Sequence, residues 1–207
     1  MGKTIAIDIN DTLRDYTGQF IKIYNKVIDP SFDIDEDDVT SFDFSEVFPF
    51  HSRDDYNAFK YEDAPYEIYA RAEPMERMLP YRLNDWIYIT LRDVDEDKVP
   101  NVIMVSPFEA NLTIQATLVF LSNNIARVRE FYFPMDSATI WDRCDILITA
   151  NPNLIANVPE GKTVIKINAP YNKEAEAKYV FDSLMDVIQD PDETVLKLIE
   201  GDDDADA

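Results

Sequence analysis

The chain has 207 residues, 46% of them hydrophobic and 12% aromatic, which is enough apolar material for one domain with a sizeable core. Its 41 Asp and Glu outweigh 19 Lys and Arg, so a formal charge of −22 argues against direct nucleic-acid or anionic-membrane binding and favours a protein partner with a basic surface. The single cysteine, Cys144, excludes an internal disulfide, and with no leader-like N-terminal pattern and no apolar run of membrane length a reducing, cytoplasmic setting is expected.

Residues 4–9 are a short, Ile-rich run with the character of a buried strand. Tyr16, Phe20, Ile23 and Val27 then recur at helical spacing. The first unit therefore reads strand, turn, helix, with Asp8 at the strand's C-terminal end, the edge where open α/β sheets bind ligands. Residues 29–63 differ: twelve acids stand against Arg53 and Lys60, with six phenylalanines and two tyrosines interleaved. That is too aromatic for a disordered linker, and a small helical cap over the strand ends is expected. The insert is taken as 29–73, between core segments 1–28 and 74–190.

"WIYITL" (86–91) reads as a strand, and "NVIMVS" (101–106) as a better buried one. A helix with Leu112, Ala116, Val119 and Phe120 on one face follows. "REFYF" (129–133), "DILIT" (145–149) and "TVIKI" (163–167) are three further strands. Ala177, Phe181, Leu184 and Ile188 share helical spacing, and a short helix from about 192 to 199 should stop at Gly201. Residues 191–207 are this helix and a solvated acidic tail. Alternating strands and helices imply a mostly parallel sheet with helices on both faces.

Several motifs carry a resemblance. "IAIDINDTL" (5–13) resembles the first motif of the haloacid-dehalogenase-like (HAD) phosphatases, Asp-x-Asp-x-Thr-Leu. "VIMVS" is similar to their second motif, a strand ending in Ser or Thr. "VTSFDFSEVFP" (39–49), "DILITANPNLI" (145–155) and "GKTVIKINAPYN" (161–172) resemble the cap, fourth motif and closing turn of the cytosolic 5'(3')-deoxyribonucleotidase branch. The resemblance implies a HAD-like, Rossmannoid α/β fold with a helical cap, and a bacterial or bacteriophage setting. In that family the first Asp attacks a phosphate monoester and the second moves the proton. Mg²⁺ is held by the first Asp, a backbone carbonyl and a fourth-motif acid.

Carried over position by position, Asp8 is the nucleophile, and Ser106 and Thr12 are the phosphate-binding hydroxyls. Asn10 stands at the acid/base position, and an amide cannot shuttle a proton at neutral pH. Thr149 and Ala150 stand where metal-binding acids belong. The third-motif Lys should lie near Asp136 and Ser137; Arg143 is the nearest cation. The resemblance with these departures implies a catalytically degenerate, nucleotidase-like protein that acts by binding, with no cofactor, and leans away from an enzyme. In that reading Asp8 caps a turn in a pocket without a lysine, and Phe42, Phe44, Phe48 and Phe50 anchor the basic partner. The alternatives are an active Mg²⁺-dependent 5'-nucleotidase using Asp8, metal-free halide displacement, and an acidic mimic of nucleic acid.

Overall fold

Short Ile- and Val-rich runs become parallel strands when both of their faces find apolar cover. The computed structural model describes residues 2–75, 78–125 and 128–201. It contains β1 (Thr4–Asp8), β2 (Asn101–Val105), β3 (Glu130–Tyr132), β4 (Ile146–Thr149), β5 (Thr163–Ile167) and β6 (Tyr179–Phe181). All pair in parallel, in the order β3-β2-β1-β4-β5-β6. The order runs outward in both directions from β1 and β4. Their C-terminal ends thus flank the crevice where such sheets take ligands.

Alternation along the strands sorts side chains onto two faces. Ile5, Ile7, Met104, Ile148 and Ile165 face one side. There they meet residues of α3 (Pro80–Tyr88), α4 (Asn111–Asn124), α6 (Leu184–Ile188) and α7 (Thr194–Glu200). Ala6, Ile103, Val105, Leu147 and Val164 face the other side. Ile140 and Trp141 of a 3-10 turn (Ser137–Asp142) and Leu154 and Ile155 of α5 (Pro152–Ala156) cover them. The doubly covered α/β sheet expected from the alternation is present. Among the described residues no helix is long and apolar enough to cross a membrane.

Two expectations fail. Residues 86–91 are the end of α3 and a 3-10 turn (Thr90–Arg92), not a strand. Their β-branched and aromatic content is outweighed by Pro80 at the helix start and by Leu83, Trp86, Ile87 and Leu91, buried at helical spacing. The helix expected to span Ala177 to Ile188 is instead strand β6 followed by α6. β6 pairs with the edge of β5, and Ser183 restarts the chain as an N-cap, its hydroxyl accepting from the Asp186 N–H. Gly201 does end α7, in the left-handed region at φ 83°.

Residues 29–73 fold as 3-10 turns at Glu36–Asp38 and Phe44–Glu46, helix α2 (Arg53–Ala58) and two π turns at Phe59–Asp63 and Tyr66–Ala70. They wrap the aromatic face of α1 (Tyr16–Val27), which Asp15 caps by accepting from the Gly18 N–H. A Cβ on Gly18 would lie 2.5 Å from the Glu36 carboxylate and 2.6 Å from that of Asp15, so a side chain there would have to displace both carboxylates. Phe20 of α1 sits in the middle, 4.8 Å from Phe48 and 5.1 Å from Phe44 between ring centroids, both edge-on.

This packing corrects the assignment of Phe44 and Phe48 as partner anchors. They are 2% and 1% exposed, their rings spent on the protein's own core. Phe50 is half-buried against Tyr24, and Phe42 half-buried against Tyr171. Removing the Phe48 ring should therefore cost about 3–5 kcal/mol, whereas a surface anchor would cost under about 0.5 kcal/mol. Urea denaturation of Phe48→Ala checks this, and a loss below about 1 kcal/mol would contradict a core position.

Candidate functional site

Strand register builds the site. Asp8 pairs with Val105 and Ile7 with Ile148, so the residues leaving β1, β2 and β4 emerge together at one edge of the sheet. Asp8, 2% exposed, accepts a hydrogen bond at Oδ2 from the Thr149 hydroxyl at 2.6 Å. Thr149 Oγ1 in turn accepts from the Asn151 backbone N–H at 3.0 Å. Asp8 Oδ1 and the Asn151 Nδ2 amide are buried with no hydrogen-bond partner among the described residues. Burial pushes the Asp8 carboxyl up to about 7, outweighing the opposing Thr149 bond and the nearby backbone N–H groups of Ile9 and Asn10.

Two residues on, the Asn10 side-chain oxygen receives Nε and Nη2 of Arg14 at 3.0 and 2.5 Å. Its amide donates to Ser106 Oγ at 3.3 Å. Arg14 is fully buried. Its Nη2 pairs with Glu109 at 3.1 Å, and its Nη1 donates to Thr117 Oγ1 and to the Tyr69 carbonyl. The guanidinium lies over the rings of Tyr69 and Phe120. Ser106 and Thr117 both donate to Glu109 Oε1, at 2.6 and 2.9 Å. Burial nonetheless raises the Glu109 carboxyl above its ordinary range, against the pull of Arg14.

The neighbouring acid, Asp11, has a left-handed backbone at φ 51°. Its carboxylate accepts from the Tyr16 and Thr17 N–H groups, the Thr17 hydroxyl and the Tyr171 hydroxyl. The turn carrying Tyr171 is fastened by Asn172, whose amide donates to the carbonyls of Ala150 and Ile167, both at 2.8 Å.

A cavity of about 290 Å³ opens between this edge and the cap. Asp8, Asn10, Asp11 and Asn151 form its floor, and Phe42, Tyr56 and Tyr61 stand on its walls. Arg53 and Lys60 line it from the cap side, so the expectation of a pocket without lysine is overturned. The Lys60 ammonium lies 4.9, 5.9 and 6.0 Å from the ring centroids of Tyr61, Tyr56 and Tyr16. It forms no ion pair among the described residues, and burial lowers it to about 8. Arg53 pairs with Asp43 through Nη1, at 2.6 and 2.5 Å to the two oxygens. The one signal in the sequence was that these are the two cations of the acidic segment.

The other residues singled out from the sequence are placed as follows. Ser106 and Thr12, at 0% and 1% exposure, do not reach the cavity wall. Thr149 and Ala150 are fully buried behind Asp8. Asp136 caps the 3-10 turn at Ser137 by accepting from the Ala138 N–H. Arg143 lines a surface groove with Thr4 and Asn101, at the N-terminal strand ends and away from Asp8. Phe42 and Phe44 border the cavity, while Phe48 lies in the aromatic core behind it.

The Mg²⁺ that the resemblance implies needs six oxygen ligands in near-octahedral array, with carboxylates among them. Here Asp8 has one free oxygen, Asp11 is saturated, and Thr149 and Ala150 bring no charge. Among the described residues no three His, Cys, Asp or Glu side chains gather as a metal-binding group. The donors do not fit the ion.

The fold is shared with a solved dehalogenase. A crystal structure of a dehalogenase with an intermediate complex superposes at a TM-score of 0.50 and 12% identity, covering 89% of this chain and 95% of its own. A second dehalogenase crystal structure, over the same shares of both chains and at 12% identity, gives a TM-score of 0.46. No family model matches the sequence, and no curated protein does.

Two outcomes follow from the buried charges. A carboxyl raised to about 7 keeps a proton that the unfolded chain releases near its ordinary value of 3.8. Asp8 thus makes the protein less stable as pH climbs from about 4 to 7, with the full cost present above 7. Asp8→Asn should stabilise by about 1–3 kcal/mol at pH 8 and by little at pH 4. Urea melts at both pH values test it; equal differences would place the Asp8 proton elsewhere. Arg14→Met, which strands Glu109 without its counter-ion, should cost about 3–5 kcal/mol.

Proposed function

We propose that this chain is a nucleotidase-like protein of the HAD fold that has given up Mg²⁺-dependent phosphoryl transfer and works by binding. In this reading the cavity over Asp8 takes a small organic molecule. The acidic outer face of residues 29–63 meets a partner with a basic surface, through exposed Asp33, Asp35, Asp37 and Asp38 rather than through buried phenylalanines.

The Thr149–Asp8 hydrogen bond carries the proposal. A neutral hydroxyl occupies the place where the resembled chemistry needs a metal-binding carboxylate, and it satisfies one oxygen of the would-be nucleophile. The state of Asn10 supports the same conclusion. Loss of general acid–base help costs roughly 10²–10⁴-fold in rate. Asn10→Asp would not restore it, because the new carboxylate would lie against Arg14 and stay ionised.

A second reading is favoured by one observation. Asp8 Oδ1 is free of partners, and the dehalogenase structures share this fold. An ionised Asp8 could displace halide at carbon without a metal, forming an ester that water then hydrolyses. That reaction would strengthen as pH rises through about 7, where Asp8 loses its proton.

The test is a screen of nucleoside monophosphates with Mg²⁺ and of short 2-haloacids without it, beside Asp8→Asn. No release of phosphate or halide above the variant is expected. Phosphate release needing both Mg²⁺ and Asp8 would overturn the proposal. Halide release that grows from pH 6 to 8 and vanishes in Asp8→Asn would establish the second reading.

A further inference from the structure

The cavity has two unlike ends, and both contain polar groups without a protein partner. At the sheet end these are Asp8 Oδ1 and the Asn151 amide, on side chains each 2% exposed. At the cap end stands the Lys60 ammonium, held among three tyrosine rings with no ion pair among the described residues. Arg53 reaches the same end, its pair with Asp43 using Nη1 alone. A cation without an ion pair facing a partly closed, ring-lined space is costly unless an anion joins it. Within a chain of charge −22, two of the three cap cations, Arg53 and Lys60, line this one cavity, while Arg71 pairs with Glu67. Among the sheet-end residues, Asp11 is already saturated, and Asp8, raised to about 7, is half-neutral near pH 7. The negative charge of a ligand is therefore tolerated there and attracted at the cap.

We propose that Lys60, assisted by Arg53, forms the anion subsite of this cavity. Its ligand is a small ring-bearing organic anion, a carboxylate or a phosphate monoester, with a hydroxyl or amide at its far end for Asp8 and Asn151. The inference rests on the reading that the cavity is a binding site, and adds the polarity of what it binds. The tyrosine and phenylalanine walls take the flat body of the ligand, where offset or edge-on ring contacts add to its burial. Charge-assisted hydrogen bonds from Lys60 then fix its direction, with the anion toward the cap rather than toward Asp8.

Titration calorimetry at pH 7 with 4-hydroxybenzoate, phenyl phosphate and the neutral 4-hydroxybenzamide tests this on the full chain. At least one anion should bind, at least tenfold more tightly than the amide. Lys60→Met should weaken that anion by roughly 10- to 100-fold, and Lys60→Arg should keep it within a few-fold. Circular dichroism of both variants confirms that they fold.

A pH series adds an independent arm. Glu109, Asp43, Arg53 and Arg14 also act on Lys60, as do the rings of Tyr16, Tyr56 and Tyr61. Asp43 is held below its usual value and the tyrosines are pushed up, so these keep their charge between pH 7.5 and 9.5, and Lys60→Arg, which retains Glu109 with its burial-raised carboxyl, isolates the Lys60 step. Affinity for phenyl phosphate or benzoate, neither of which titrates there, should fall over that range as Lys60 loses its proton, and should hold in Lys60→Arg. The preferred anion tells carboxylate from phosphate, and either supports the proposal.

Equal binding of the amide, an unchanged affinity in Lys60→Met, or no binding of either anion would overturn the subsite. Binding that ignores Lys60 but changes in Asp8→Asn would overturn it while leaving the cavity as a binding site. Mg²⁺-dependent turnover of phenyl phosphate would instead remove the reading on which it rests.

Discussion

A guanidinium with no solvent exposure is among the costliest groups a protein can bury, and the surroundings of Arg14 are arranged to satisfy it. Four parts of the chain contribute. Asn10 comes from the turn after β1, Glu109 from the loop after β2, Thr117 from α4, and the Tyr69 carbonyl from the cap. Glu109 also collects the Ser106 hydroxyl, so the end of β2 is drawn into the same knot. Each partner is usable only while the others hold their places. This fixes the edge of the sheet, the first turn and the cap relative to one another.

The knot also explains the chemistry of the floor. In the resembled phosphatases the positions of Asn10 and Ser106 face the substrate. Here both are turned to Arg14 and Glu109, and Asp8 accepts from the Thr149 hydroxyl. Asp8 and Asn151 line the sheet end of the cavity, and Lys60, without an ion pair among the described residues, stands on the cap. Burial has opposite effects on the two ends, raising the carboxyl of Asp8 and lowering the ammonium of Lys60 until both lie near neutrality.

The cap makes this possible through its aromatic side chains. Phe20 and Tyr24 on α1 meet Phe44, Phe48 and Phe59 at distances and tilts typical of ring clusters. A segment with twelve acids folds down over the sheet because its rings are buried while its carboxylates stay in water. Tyr61 then donates to the Phe108 carbonyl, joining the cap to the loop after β2.

Much of this was legible in the residues, for local reasons. An Ile-rich run ending in Asp8, with helical spacing from Tyr16 onward, contains its own strand, turn and helix, and parallel strands later in the chain repeat the pattern. That Asn10, Thr149, Ala150 and Ser137 carry no ionisable group could also be read directly. Periodicity misled where one composition serves two structures. "WIYITL" has the residues of a strand, but its buried positions follow those of a helix, and Phe181 takes a strand because β5 offers it an unpaired edge. Sequence by itself thus determined the parallel sheet and the place of Asp8 at its edge. Only the tertiary structure decided that Phe48 is core, that Arg14 claims Asn10, and that Lys60 faces Asp8 across a cavity. These depend on which distant segments pack together, and that is set by the joint burial of side chains that no local pattern relates.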